Sequence, residues 1–205
     1  MKKLCLLGLF VTLASQSVFA DNLPAPIENK DAFISNLMKQ MTLEEKIGQL
    51  RLISIGPEMP REMIRKEIAA GNIGGTFNSI TRDENRPMQD AAMRSRLKIP
   101  MFFAYDVIHG HRTIFPISLA LASSWDMDAI GRSGRIAAQE AAADSLDITF
   151  APMVDISRDP RWGRSSEGFG EDTYLTSRIA KVMVKAYQGE TPSAADSIMA
   201  SVKHF

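Results

Sequence analysis

Ile99-Pro100-Met101-Phe102-Phe103-Ala104-Tyr105-Asp106 is a nearly unbroken apolar run that stops on a carboxylate, and Ile148-Thr149-Phe150-Ala151-Pro152-Met153-Val154-Asp155 repeats the form later in the chain. Short apolar runs without alternation predict strands buried on both faces, as in a parallel sheet covered by helices. Ile73-Gly74-Gly75-Thr76-Phe77 and Ser197 to Val202 are two more such runs, the last ending at Lys203-His204. Four strands are counted in this way.

Between the strands the spacing is helical. Asp31 to Met41 carries Phe33, Ile34, Leu37, Met38 and Met41 on a helical repeat. Thr42-Leu43-Glu44-Glu45 is a capping box, which opens a second helix with Ile47, Leu50 and Ile53 on one face. Pro60 suits the first turn of a third helix and Gly71 its end. Helical spacing returns at Met88 to Leu97, then from Asp126 or Asp128 through Ala143, and again from Tyr174 to Gln188, closed by Gly189. Alternating strands and helices predict an α/β fold. Asp106, Asp155 and Lys203-His204 each follow a strand directly, which is where a β/α barrel carries its chemistry. A dinucleotide-binding sheet also binds at strand ends, but no G-x-G-x-x-G stands between a strand and a helix here. The expected architecture is the N-terminal part of a (β/α)8 TIM-type barrel. A closed barrel needs eight strands and about 250 residues, so the barrel is expected to be incomplete in this chain.

The first residues bear on the compartment. Lys2 and Lys3 precede an apolar run from Leu4 to Leu13, and Val18-Phe19-Ala20 has the small-x-small ending of a cleaved leader. That run is shorter than the roughly 20 residues needed to cross a bilayer. Residues 1–20 are therefore expected to be a signal peptide and 21–205 the barrel segment, with no membrane anchor and a periplasmic destination. Cys5 is the single cysteine and falls in the leader, so thiolate metal sites and disulfides are excluded from the mature chain. Lys+Arg and Asp+Glu number 24 each. That balance gives no long-range pull toward nucleic acid or an acidic membrane.

The polar clusters carry the chemistry. The loop Ser157-Arg158-Asp159-Pro160-Arg161-Trp162-Gly163-Arg164-Ser165-Ser166-Glu167-Gly168-Phe169-Gly170-Glu171-Asp172 is dense in guanidinium, carboxylate and glycine. Such a loop is often only a surface ion-pair network. Here it also suits a sugar, because planar guanidinium forks bind hydroxyl pairs and an aromatic face covers pyranose C–H bonds. Glu167 is placed to pair with Arg164 or Lys203. Asp106, in Tyr105-Asp106-Val107-Ile108-His109-Gly110, is placed to accept two hydroxyls at once or simply to cap its loop. Lys203-His204 is a cationic pair that in isolation would be a solvated strand end.

Together these stretches resemble glycoside hydrolase family 3, in particular its exported bacterial β-glucosidases. The resemblance rests on Met41-Thr42-Leu43-Glu44-Glu45-Lys46-Ile47-Gly48-Gln49-Leu50, on Tyr105 to Gly110, on Ala151 to Arg164 with Glu167 and Glu171-Asp172, and on Val202-Lys203-His204-Phe205. It implies retaining hydrolysis of terminal non-reducing β-D-glucosyl residues, without cofactor or metal, on a small β-glucoside or oligosaccharide. By position, Asp106 looks like the aspartate gripping the sugar hydroxyls and Arg164 like its guanidinium partner. Lys203 and His204 look like the pair that completes the grip, and Glu167 like an ion-pair partner behind it. His109 is expected to structure its loop, and His111 is unassigned. Retention needs two carboxyl groups about 5–5.5 Å apart. In this family the nucleophile follows a later barrel strand and the acid/base lies further on, so both are expected beyond Phe205. A β-xylosidase or β-N-acetylhexosaminidase on the same scaffold is the alternative within the family. The hexosaminidase branch usually lacks an exported leader. A non-catalytic sugar-binding remnant is the alternative outside enzymes.

Overall fold

The structure is a computed structural model, and it describes residues 29–204. The leader reading lies outside the described residues. The chain divides into two units, at Gln40 and Met41. In the first, Lys30–Gln40 forms helix α1. Asn29 Oδ1 accepts from the Ala32 amide at 2.9 Å, and Asp31 in the first turn and Lys39 in the last complement the helix dipole.

The second unit is the α/β body. Its elements run α2 (Leu43–Gln49), β1 (Leu52–Ser54), α3 (Arg61–Ala69), β2 (Gly75–Phe77), α4 (Arg82–Ala92), β3 (Phe102–Tyr105), α5 (Ser118–Ser123), α6 (Met127–Ala143), β4 (Ile148–Thr149), α7 (Thr173–Gln188) and β5 (Met199–Ala200). The strands form one parallel sheet in the order β1-β2-β3-β4-β5. That order matters. A doubly wound sheet reverses direction at a switch point, whereas consecutive parallel strands returning through helices are the arc of a β/α barrel. The expected fold is found, with a correction to five strands from four. Leu52–Ser54 is a strand, so Ile53 belongs to β1 and not to the face of α2.

Local chemistry places the helices. Thr42 caps α2 by accepting from the Glu45 amide at 3.2 Å, and the Glu45 carboxylate accepts from the Thr42 amide at 2.9 Å. Thr81 caps α4 through the Glu84 amide, so this helix begins well before the Met88 at which apolar spacing resumes. Asp126 caps α6 and Asp172 caps α7.

The core lies between helices and sheet. Ile64 and Ile68 of α3, Met88 of α4, Ile130 and Ala137 of α6, and Ile179 and Tyr187 of α7 are all buried with Phe103. Burial of such an aliphatic side chain contributes about 1.5–3 kcal/mol each. Helices α6 and α7 approach closely because Gly134 is small: a methyl there would sit 3.0 Å from the Ala186 Cβ. No helix among the described residues is long and apolar enough to cross a membrane.

Candidate functional site

All five strands point the same way, so the groups that follow β3, β4 and β5 emerge at one end of the sheet. Asp106 follows β3 directly. Its Oδ1 accepts from the Ile108 amide at 3.2 Å, which fixes the rotamer, and its Oδ2 accepts from Lys203 Nζ at 2.5 Å. The next residue is anchored on both sides. The Val107 amide donates to Thr149 Oγ1 at 3.1 Å, and the Val107 carbonyl accepts from the Tyr187 hydroxyl at 3.4 Å. Burial first, and the Asp106 charge second, push the Tyr187 phenol well above its ordinary pKa, so it stays a donor.

Lys203 is delivered by backbone pairing past the end of β5. Its amide donates to the Pro152 carbonyl at 3.0 Å, and its carbonyl accepts from the Val154 amide at 2.7 Å. The Ala151–Pro152 and Lys203–His204 peptides are both cis. The Lys203 side chain is 14% exposed and that of Asp106 39%, so the cation is enclosed while the carboxylate faces solvent.

His204 and Arg164 form the second half. Asp155 Oδ2 accepts from the His204 amide at 3.1 Å and from its Nδ1 at 2.8 Å. Arg164 Nη1 lies 3.0 Å from His204 Nε2. A guanidinium has only donors, so Nε2 accepts and the ring hydrogen sits on Nδ1, directed at Asp155. Partial burial pushes the Asp155 carboxyl up, but the hydrogen bonds from His204 outweigh it and leave the carboxyl below its usual range. Glu167, on the 3-10 turn Ser165–Glu167, accepts a bidentate pair from Arg164 Nε and Nη2, both at 2.6 Å. That fork holds the Glu167 carboxyl below its ordinary range, against partial desolvation and with help from Lys203 and His204.

The glutamate's lowered pKa has a testable consequence. A carboxyl depressed in the folded state contributes stability that is fully present above its ordinary pKa of about 4.3 and is lost as pH falls through the folded value. Glu167→Gln is therefore expected to leave the unfolding midpoint less sensitive to pH below about 4 than wild type, with the two curves furthest apart near neutrality. A thermal denaturation series from pH 7 to pH 2 checks it, and parallel curves contradict it.

The structure brings together all five residues singled out from the sequence: Asp106, Lys203, Arg164, His204 and Glu167. Of the two partners open to Glu167, it takes Arg164, while Lys203 goes to Asp106. Arg161 pairs with Asp159, on the surface, and Trp162 is 38% exposed. Part of the loop is thus the plain ion-pair network that its composition also allowed. His109 is half-buried and shapes its loop through its carbonyl, which accepts from the Phe115 amide at 2.8 Å. Sequence reasoning missed Asp155 as the residue that orients His204. Its signal was present, since it ends an apolar run just as Asp106 does. Asp144, which binds His111 and Arg112, was also missed.

A cavity of about 350 Å³ opens at the N-terminal ends of β3 and β4, against Asn85, Phe103 and Asp147. In a β/α barrel that end serves stability. Among the described residues no group of three His, Cys, Asp or Glu side chains is arranged to hold a metal ion.

A consecutive parallel sheet with paired carboxylates and cations at its C-terminal ends defines a β/α-barrel domain that matches a polyhydroxylated ligand. Each hydroxyl can donate to a carboxylate and accept from a cation. Comparison with known proteins gives the family. Residues 42–205 match the Glycosyl hydrolase family 3 N terminal domain. The chain is 59% identical over its whole length to the periplasmic beta-glucosidase of Salmonella typhimurium, of which it covers 28%. The crystal structure of beta-glucosidase from Listeria innocua in complex with isofagomine superposes with a TM-score of 0.77 at 38% identity, over 86% of this chain and 26% of that one. The same enzyme in complex with glucose gives 0.78 at 36% identity, over 86% and 27%. The chain belongs to glycosyl hydrolase family 3. It spans about a quarter of the length of these relatives.

Proposed function

We propose that the protein carrying this segment is a periplasmic β-glucosidase. It releases glucose by hydrolysing terminal non-reducing β-D-glucosyl residues with retention, needs no cofactor or metal, and reaches its compartment through the leader at residues 1–20. The observation that carries the reading is the joined cluster Asp106–Lys203 and Glu167–Arg164–His204–Asp155 at the strand ends. Within it, Asp106 accepts two hydroxyls of the terminal glucosyl ring. Lys203 holds Asp106 in place, and Arg164 and His204 hold neighbouring hydroxyls. Glu167 and Asp155 aim those two groups.

Catalysis then divides between two regions. The residues of this segment bind the ring, and bonds to hydroxyls that strengthen as the ring flattens toward an oxocarbenium ion supply several kcal/mol. The nucleophile and the acid/base come from residues outside 1–205. Asp106 and Glu167 are each tied to a cation and Asp155 to the His204 ring, which suits binding carboxylates better than a nucleophile or a proton-shuttling acid.

The test uses a full-length chimaera, with this segment joined to the remainder of its 59% identical Salmonella relative. It is expected to turn over 4-nitrophenyl β-D-glucoside with β-glucose as the first product by NMR. The 205-residue chain alone is expected to turn over none. Faster turnover of the β-xyloside or N-acetyl-β-glucosaminide would overturn the substrate assignment. Hydrolysis that co-purifies with the isolated chain would overturn the division of labour.

A further inference from the structure

The loop after Asp106 is fastened by two carboxylates that are misplaced by helix standards. Glu140 lies in the last turn of α6 and Asp144 is its C-cap, and that turn contains no basic residue. Negative charge at a helix C-terminus opposes the macrodipole, so neither side chain serves the helix that carries it. Both serve the loop. Asp144 Oδ2 lies 2.8 Å from His111 Nε2 and from Arg112 Nε, and its Oδ1 accepts from Arg112 Nη2 at 2.5 Å. Glu140 Oε2 accepts from the Arg112 and Thr113 amides at 2.9 and 2.7 Å, and Oε1 from the Thr113 hydroxyl at 2.6 Å. The Asp144 and His111 side chains are only 6% and 5% exposed. Arg112 first, and then His111, hold the Asp144 carboxyl below its ordinary range against desolvation.

The fastened turn leads back to the site. The Gly110–Ile114 bridge closes it, and Gly110 donates to the Val107 carbonyl at 3.1 Å. Val107 is itself pinned to Thr149 and adjoins Asp106. Departures from local rules concentrate at functional sites, and here two stand on one helix end facing one loop. We propose that Asp144 and Glu140 are positioning residues that hold the loop after β3 so that Asp106 meets the sugar in a single orientation. This rests on the reading of Asp106 as a hydroxyl-binding group. It also gives His111 its place, as a tie between that loop and α6.

A double-mutant cycle in the full-length chimaera tests it, because residues acting as a unit are not additive. Asp144→Asn is expected to lower kcat/KM for 4-nitrophenyl β-D-glucoside about ten- to a hundredfold, on the same parameter, kcat or KM, that Asp106→Asn moves. Added to Asp106→Asn, it should lower kcat/KM less than about threefold further. Should Asp144→Asn not fold, Glu140→Gln carries the same cycle, with an expected single loss of about fivefold or more. Additive losses overturn the clamp while leaving Asp106 in its role. Wild-type kinetics in Asp106→Asn overturn that role, and the clamp with it.

Discussion

Asp106→Asn in the full-length enzyme is expected to lower kcat/KM by about two to four powers of ten, the equivalent of about 3–5 kcal/mol of transition-state binding. Three losses combine. The amide keeps one acceptor and replaces the other with a donor, which cannot accept a hydroxyl proton. It no longer offers charge-assisted bonds, each worth about 1.5–3 kcal/mol where a neutral bond gives about 1. It also leaves Lys203, only 14% exposed and 2.5 Å away, without its counter-charge. If the ring hydroxyls bind more tightly in the transition state than in the ground state, kcat falls more than KM rises. Steady-state kinetics on an aryl β-glucoside decide it. A change under about threefold would be that of an ordinary surface substitution, and Asp106 would then be a loop cap only.

What could be read from the sequence, and what could not, divides along the range of the interactions. The Thr42 capping box, the start of α6 at Asp126 and the β3 run are set by neighbouring residues, and they stand as expected. β1 was hidden because Ile47, Leu50 and Ile53 keep a helical spacing straight through the turn where α2 ends and the strand begins. The β4 run is long, yet only Ile148 and Thr149 pair regularly, because Pro152 has no amide to give the ladder. The same rule covers the site. Asp106, Asp155, Lys203 and His204 could be placed at strand ends, but Lys203 could not be joined to Asp106, since the two lie 97 positions apart. Only the β4–β5 register sets Lys203 beside Met153 and so turns His204 toward Asp155. Glu167 was nearly legible. Its i,i+3 relation to Arg164 becomes a contact once Ser165–Glu167 coils into a 3-10 turn.

Gly110→Ala is expected to be the most damaging single methyl in the segment. Gly110 has φ +124°, a region that side chains rarely adopt, and an added Cβ would lie 2.0 Å from the Thr113 carbonyl oxygen. The obstacle is backbone, and it has no room to retreat. Thr113 is tied to Glu140 by amide and hydroxyl, and the Phe115 amide donates to the His109 carbonyl at 2.8 Å. Backbone strain of about 1–3 kcal/mol adds to an overlap of similar size, so the turn opens instead of absorbing the methyl. Because that turn is continuous with Val107 and Asp106, kcat/KM is expected to fall at least about a hundredfold, with a loss of stability of about 2–5 kcal/mol. Gly56→Ala supplies the contrast, since nothing lies within 4 Å of its added Cβ; it is expected to stay within about 0.5 kcal/mol of wild type. Kinetics and thermal unfolding on both variants separate the cases. If Gly110→Ala matches Gly56→Ala, the loop after β3 is free to rearrange, and Asp106 is held by Lys203 and Ile108 alone.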